Sequence, residues 1–306
     1  MEQNNTAVQN NEPLLKERGY VKSIAAGLRL PLRHPWGILR HIWPTCLVCG
    51  LVWFFVSKWV CADLWAFRTV FSGPVSSPAD VVGMTWLRVV LWGMLSMLFL
   101  GVLAGQTAYL MRRYGELNYF PAVQPWHVWR DIAPSVVSGL VLCLVGYLVA
   151  VALASVPFLF MPRRLWAVLL GAVLVCLWAL FYVPAGQRFM MEKKPLPASL
   201  WWSFSHPTEL SGSSAVVVVC STLLFSVMAA GAVPVVALAY VDGVASDALR
   251  MGDAVDLPGS FFMLRNLGFF LTSSIVSLSW IFVFVPLCFE WGSRQESKKL
   301  IKNLDF

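Results

Sequence analysis

Apolar residues run along this chain in long blocks, and short polar stretches separate them. An apolar helix needs roughly 20 residues to cross a ~30 Å hydrocarbon core. Six blocks reach that length, at about residues 41–62, 85–110, 132–157, 165–186, 214–240 and 262–289, each with almost no charge at its centre. A transmembrane β-barrel would show ~10-residue segments of alternating character, which these blocks lack. Helices are then the way to satisfy the backbone in lipid. The pattern predicts an all-α polytopic membrane protein with six transmembrane helices.

Shorter elements precede the spans. Residues 20–30 place Val21, Ile24 and Leu28 near one face, with Lys22 and Arg29 off it. Pro31 and Pro35 are expected to end that helix before the first span. A short basic amphipathic helix lying on the inner leaflet fits this pattern, with anionic lipid as its partner. Residues 1–19 read as a disordered cytoplasmic arm, and residues 293–306 as a cytoplasmic tail.

The blocks also repeat. Residues 35–45 read PWGILRHIWPT and residues 125–135 read PWHVWRDIAPS, with a degraded copy, PASLWWSFSHPT, at 197–208. The exits AGQTAYLMRR (104–113) and AGQRFMMEKK (185–194) match, as do DVVGMTWLR (80–88) and DLPGSFFMLR (256–265). The economical reading is three parallel two-helix repeats, about 20–115, 116–195 and 196–292, each a cytoplasmic interfacial helix followed by a hairpin. Such repeats are related by an axis along the membrane normal. Chance recurrence is the alternative, since membrane ends favour Pro, Trp and Arg.

Composition agrees with this class. Of 306 residues 58% are hydrophobic and 13% charged, against roughly 25% charged in a soluble domain. A soluble enzyme, a disordered protein and a disulfide-stapled module are excluded. The net charge of +7 does not point to nucleic acid, because the bases lie at the ends of apolar segments. Sixteen of the 23 Lys and Arg fall on one side of the six blocks and seven on the other. The positive-inside rule places both termini in the cytoplasm, opposed only by Arg163 and Arg164 in a short outer connection. Tryptophans such as Trp36, Trp43, Trp126, Trp129, Trp166, Trp201, Trp202 and Trp291 sit towards span ends as interfacial anchors. Residues 1–13 hold no apolar core, so no cleaved signal peptide is expected.

Candidate chemistry is sparse. Arg88, Arg164 and Arg265 occupy similar outer positions in the three copies. They suggest a cationic ring for an anionic headgroup or solute, with snorkelling anchors as the alternative. Gly101 and Gly105 form a GxxxG, extended backward by Gly93, which marks a close helix contact within the chain or between protomers in a homo- or hetero-oligomer. Thr272, Ser273, Ser274, Ser277 and Ser279, with Ser221, Thr222 and Ser226, either line a polar seam or bond to neighbouring helices and backbone. Pro157, Pro184, Pro234 and Pro286 imply kinks or early helix ends.

Asp242, Asp247, Asp253 and Asp256 in an outer loop at 241–260 allow a weak cation site or simply a solvated loop. His34, His41, His127 and His206 share the cytoplasmic side without metal-ligand spacing. Cys46 and Cys49 form a CxxC inside an apolar span, where neither zinc nor redox chemistry is expected. No catalytic constellation, metal site or cofactor motif emerges.

The segment SIAAGLRLPLRHPWGILRHIWP resembles the start of uncharacterised six-span bacterial membrane proteins. Their layout is similar to the membrane domain attached to some glycerophosphodiester phosphodiesterases. That resemblance implies the bacterial cytoplasmic membrane and no specific reaction. Two function classes follow. One is a non-enzymatic permease-like, lipid-handling or scaffold component. The other is a membrane-embedded enzyme acting on lipid headgroups through the four histidines.

Overall fold

The computed structural model describes residues 13–16, 18–72, 78–120, 125–160, 164–206, 235–249, 251–252 and 257–304, with isolated positions 216, 219 and 233. Every regular element among them is an α-helix. These are α1 (Tyr20–Arg33), α2 (Pro35–Ser72), α3 (Pro78–Leu117), α4 (Pro125–Phe160), α5 (Arg164–Glu192), α6 (Leu196–Ser205), α7 (Gly259–Ser279) and α8 (Ile281–Leu304). Residues 235–249 are helical as well. Five stretches are long and apolar enough to cross a membrane: Pro35–Trp65, Val90–Leu117, Arg130–Pro157, Leu169–Glu192 and Gly259–Leu300. The expected span at 214–240 lies for the most part outside the described residues.

The helices outrun the apolar blocks that announce them. α2, α3 and α4 hold 38, 40 and 36 residues. At ~1.5 Å per residue they are ~54–60 Å long, roughly twice the hydrocarbon core. Each opens on a proline (Pro35, Pro78, Pro125), where the missing N–H costs nothing and φ is already helical. The Pro-Trp motifs at 35–45 and 125–135 are therefore the first turns of continuous long helices rather than separate interfacial pieces. Only the third copy forms its own short helix, α6. It ends at His206, whose backbone N–H returns to the Trp202 carbonyl.

Several prolines lie inside helices, including Pro31, Pro44, Pro134, Pro157, Pro184 and Pro286. Pro31 does not end α1, which continues to Arg33. Tertiary packing outweighs the lost hydrogen bond. α1 docks on α8 through Ser23, Ala26, Gly27, Leu30 and Pro31. A Cβ on Gly27 would come within 2.4 Å of the Pro286 Cα. The docked face is thus the small-residue one. Val21, by contrast, is left exposed to the surroundings, with Lys22 and Arg29 also outward.

Two compact units can be delimited. The first comprises Met1–Trp43, Leu100–Leu224 and Trp280–Phe306, and the second Pro44–Phe99 and Phe225–Ser279. In the first, α4 packs on α5, α5 on α6, and α8 on both α1 and α5. Ile42, Leu110, Met111, Tyr114, Val285 and Phe289 are almost wholly buried. α3 meets α4 backbone to backbone: a Cβ on Gly105 would lie 2.5 Å from the Ser135 carbonyl oxygen, and one on Gly139 2.2 Å from that of Gly101. This GxxxG contact lies within the chain, the close-approach geometry that small residues permit in membranes. Gly93 is half-buried in the second unit.

A strap ahead of α1 closes on the same core. Leu14 is buried against Gly115 and Gly292. The Arg18 backbone N–H donates to Ser293 Oγ at 2.8 Å, and that hydroxyl donates to the Arg18 carbonyl at 2.8 Å. The Arg18 guanidinium lies 5.3 Å from the Phe289 ring centre.

The second unit is built around Val60, Cys61, Ala239 and Phe269, flanked by Trp53, Val56, Trp92 and Val235. Its hydroxyls are engaged. Ser273 bonds to the carbonyls of Phe269 and Phe270, Ser274 to that of Cys46, and Ser277 to the Cys49 sulfur. Residues 241–249 are helical rather than a loop. Across both units many large apolar side chains face outward, among them Trp36, Phe55, Val137 and Leu148. In water such a surface would be an aggregation liability, whereas lipid solvates it.

Candidate functional site

A cleft lined by charged side chains lies in the first unit. It encloses about 920 Å³ between the end of α3, the start of α4 and the exit of α5. α3 contributes Tyr109, Arg112, Arg113 and Glu116. α4 contributes Arg130, Asp131, Ser135 and Ser138. α5 and its exit contribute Met190, Lys193 and Lys194. Cations at the ends of α3 and α5 also complement the negative pole of each helix.

The charge there is unbalanced. Arg113 lies 3.2 Å from the Glu116 carboxylate and 3.9 Å from that of Asp131, so one cation is shared by both acids. Arg112, Arg130, Lys193 and Lys194 form no ion pair with any described residue, and the last three are exposed. Five cations against two carboxylates leave a net charge of +3.

Arg112 is held from behind. Its guanidinium donates to the Met190 carbonyl oxygen at 3.2 Å and to the Ser135 hydroxyl. A guanidinium carries five N–H donors, so donors remain for a ligand, and Ser135 keeps its own O–H. Ser138 donates instead to the Pro134 carbonyl. The backbone at Lys193 is left-handed, with φ of 56°. For a residue with a Cβ that conformation costs roughly 1–2 kcal/mol. This turn ends α5 and puts two lysines on the rim.

A buried polar network fixes the α5 end of the site against α8. Gln187 donates to the Leu287 carbonyl at 3.0 Å and to Glu290 at 3.2 Å, and it accepts from Arg294. One turn along α5, Glu192 accepts from Arg188, Trp291 and Gln295.

The residues singled out in the sequence are distributed differently. Arg88 pairs with Asp63 at 3.0 Å. Its side chain is 60% exposed and borders an apolar groove of about 270 Å³ with Leu91, Trp92 and Leu95. Arg265 is buried and pairs with Asp242 at 3.0 Å, beside the Asn266 amide oxygen that also accepts from Ser57. Both arginines are thus neutralised within the second unit. The Arg164 side chain lies outside the described residues.

Asp247 accepts the Trp65 indole N–H at 2.9 Å. With Asp242 and Asp247 held by separate partners on a helix, the pair is not assembled as a cation site. Asp253 and Asp256 lie outside the described residues, as does the His127 side chain. Of the other histidines, His41 and His206 donate from Nδ1 to carbonyls of their own helices, Gly37 and Trp202. His34 faces the Phe120 ring. No group of three metal-ligating side chains occurs among the described residues.

Sequence reasoning did not assemble the cleft, although it held the parts. The matched exits AGQTAYLMRR and AGQRFMMEKK end on Arg112–Arg113 and Lys193–Lys194, and the PWHVWRDIAPS motif supplies Arg130, Asp131 and Ser135. Compared with known family models, curated proteins and solved structures, the chain matches none.

Proposed function

We propose that this chain is a non-enzymatic, lipid-handling component of the bacterial cytoplasmic membrane. In this reading it has six spans arranged as three parallel hairpins, with both termini in the cytoplasm. It holds the headgroup of anionic inner-leaflet lipid in the cleft between α3, α4 and α5. The observation that carries this reading is a net +3 cleft, with Arg130, Lys193 and Lys194 exposed and unpaired at the ends of membrane-length helices. Juxtamembrane Lys and Arg each contribute ~1 kcal/mol of attraction to an anionic leaflet. Val137 and Val141, exposed on α4 beside the lining residue Ser138, give acyl chains an apolar surface to lie on.

The test is lipid selectivity of the full-length protein in detergent micelles. Titration with phosphatidylglycerol and with phosphatidylcholine of identical acyl chains should show tighter binding of the anionic lipid, with a preference that weakens as salt is raised. Equal binding of the two lipids at low salt would sink the reading.

A further inference from the structure

We infer that the cleft is a site for a phosphate group carrying two or more negative charges, a phosphomonoester or diphosphate, rather than for anionic lipid in general. The inference rests on the lipid-headgroup reading above and names its ligand.

Both the charge of the cleft and its hydrogen-bond donors suit such a group. Arg113, Glu116 and Asp131 form a self-contained triad with one surplus negative charge. Against it stand four cations without ion pairs, Arg112, Arg130, Lys193 and Lys194. A phosphodiester headgroup brings a single negative charge and leaves most of this field unanswered. A phosphomonoester carries about −1.5 to −2 near pH 7, with three strong acceptor oxygens, and a diphosphate carries more.

Donor geometry points the same way. Arg112 is oriented by Met190 and Ser135 before any ligand arrives, and a planar guanidinium matches phosphate oxygens bidentately. Lys193 retains a left-handed backbone that glycine would adopt freely. Asn118 takes the same conformation after α3, a common helix ending, and at Lys193 the turn sets two lysines on the rim of the cleft. A cleft of about 920 Å³ also admits a headgroup larger than phosphate alone.

The experiment compares phosphatidic acid with phosphatidylglycerol on the full-length protein in detergent micelles, with inorganic pyrophosphate as a soluble probe. Phosphatidic acid should bind roughly 5–10-fold tighter, the value of about one further charge in such a field. The triple variant Arg130→Gln, Lys193→Gln, Lys194→Gln should lose roughly 100-fold in affinity and lose the preference. The charge-conserving variant Arg130→Lys, Lys193→Arg, Lys194→Arg should retain both, which separates lost charge from lost fold.

Equal affinity for the two anionic lipids, both above phosphatidylcholine, would overturn this inference and leave the lipid-handling reading standing. A monoester preference that survives in the Gln variant would also overturn it. If all three lipids bind alike, the lipid reading falls too. Pyrophosphate as tight as phosphatidic acid would support the polyanionic phosphate site while assigning it to a soluble ligand.

Discussion

The Glu290 carboxylate, almost wholly buried, lies 2.8 Å from the Arg294 guanidinium one turn along α8. Removing one member of a buried pair strands the other charge, at a cost of ~3–5 kcal/mol. Glu290→Ala is therefore expected to lower the thermal midpoint of the detergent-solubilised protein sharply. Glu290→Gln keeps a partner for Gln187 and is expected to cost less. An unchanged midpoint for the alanine variant would show that the pair contributes nothing.

Asp63 and Arg88 should respond unequally to truncation, although they form one ion pair. Asp63 is buried and accepts from both Arg88 and the Trp92 indole, at 3.0 and 2.8 Å, whereas the Arg88 side chain is mostly exposed. Asp63→Ala leaves a buried indole donor unsatisfied and is expected to cost ~1–3 kcal/mol. Arg88→Ala leaves the Asp63 carboxylate its Trp92 hydrogen bond and lets water in where the mostly exposed arginine lay, so its loss should stay near ~1 kcal/mol. Equilibrium denaturation of both variants checks the asymmetry, and equal losses would refute it.

At the α3–α4 contact, Gly105→Ala forces a methyl to 2.5 Å from the Ser135 oxygen, which is backbone and cannot rotate away. Overpacking of this kind costs ~1–3 kcal/mol. Gly259→Ala, with nothing within 4 Å of the added carbon, is the matched control and should stay within ~0.5 kcal/mol. A neutral Gly105→Ala would mean that the helices are free to part.

Lys193→Gly should separate stability from binding. Relief of the left-handed backbone is expected to raise stability by ~1 kcal/mol, and the lost charge to weaken phosphatidic acid binding several-fold. A variant that is both less stable and undiminished in binding would contradict the account of Lys193 on both counts.

The all-helical membrane class was legible because runs of about 20 apolar residues admit few other structures in lipid. Helix ends were not, and the consequences fell on particular residues. Asp63 and Glu290 sit one residue past the apolar blocks at 41–62 and 262–289, where no local pattern marks that helix and burial continue through them. Pro31 looked like a stop signal because proline's local penalty is visible in sequence, whereas the docking of Gly27 on Pro286 is not. The cleft was unreadable for a related reason. Its cations come from three segments up to 82 residues apart, which the α3–α4 glycine contact, the packing of α4 on α5 and the Arg112 bonds to Met190 and Ser135 bring together.

The strap at Leu14 and Arg18 has a bearing on biosynthesis. Its partner Ser293 lies 275 residues downstream, so the two halves of this contact are synthesised well apart in time. At ~5–20 residues per second, the strap and α1 wait roughly 14–55 s for α8. During that interval Leu14 has Gly115 but not Gly292 to pack on, and the small-residue face of α1 lacks its seat on α8. Completion of the first unit therefore waits on synthesis of α8, and a chain truncated before Gly292 leaves the strap undocked.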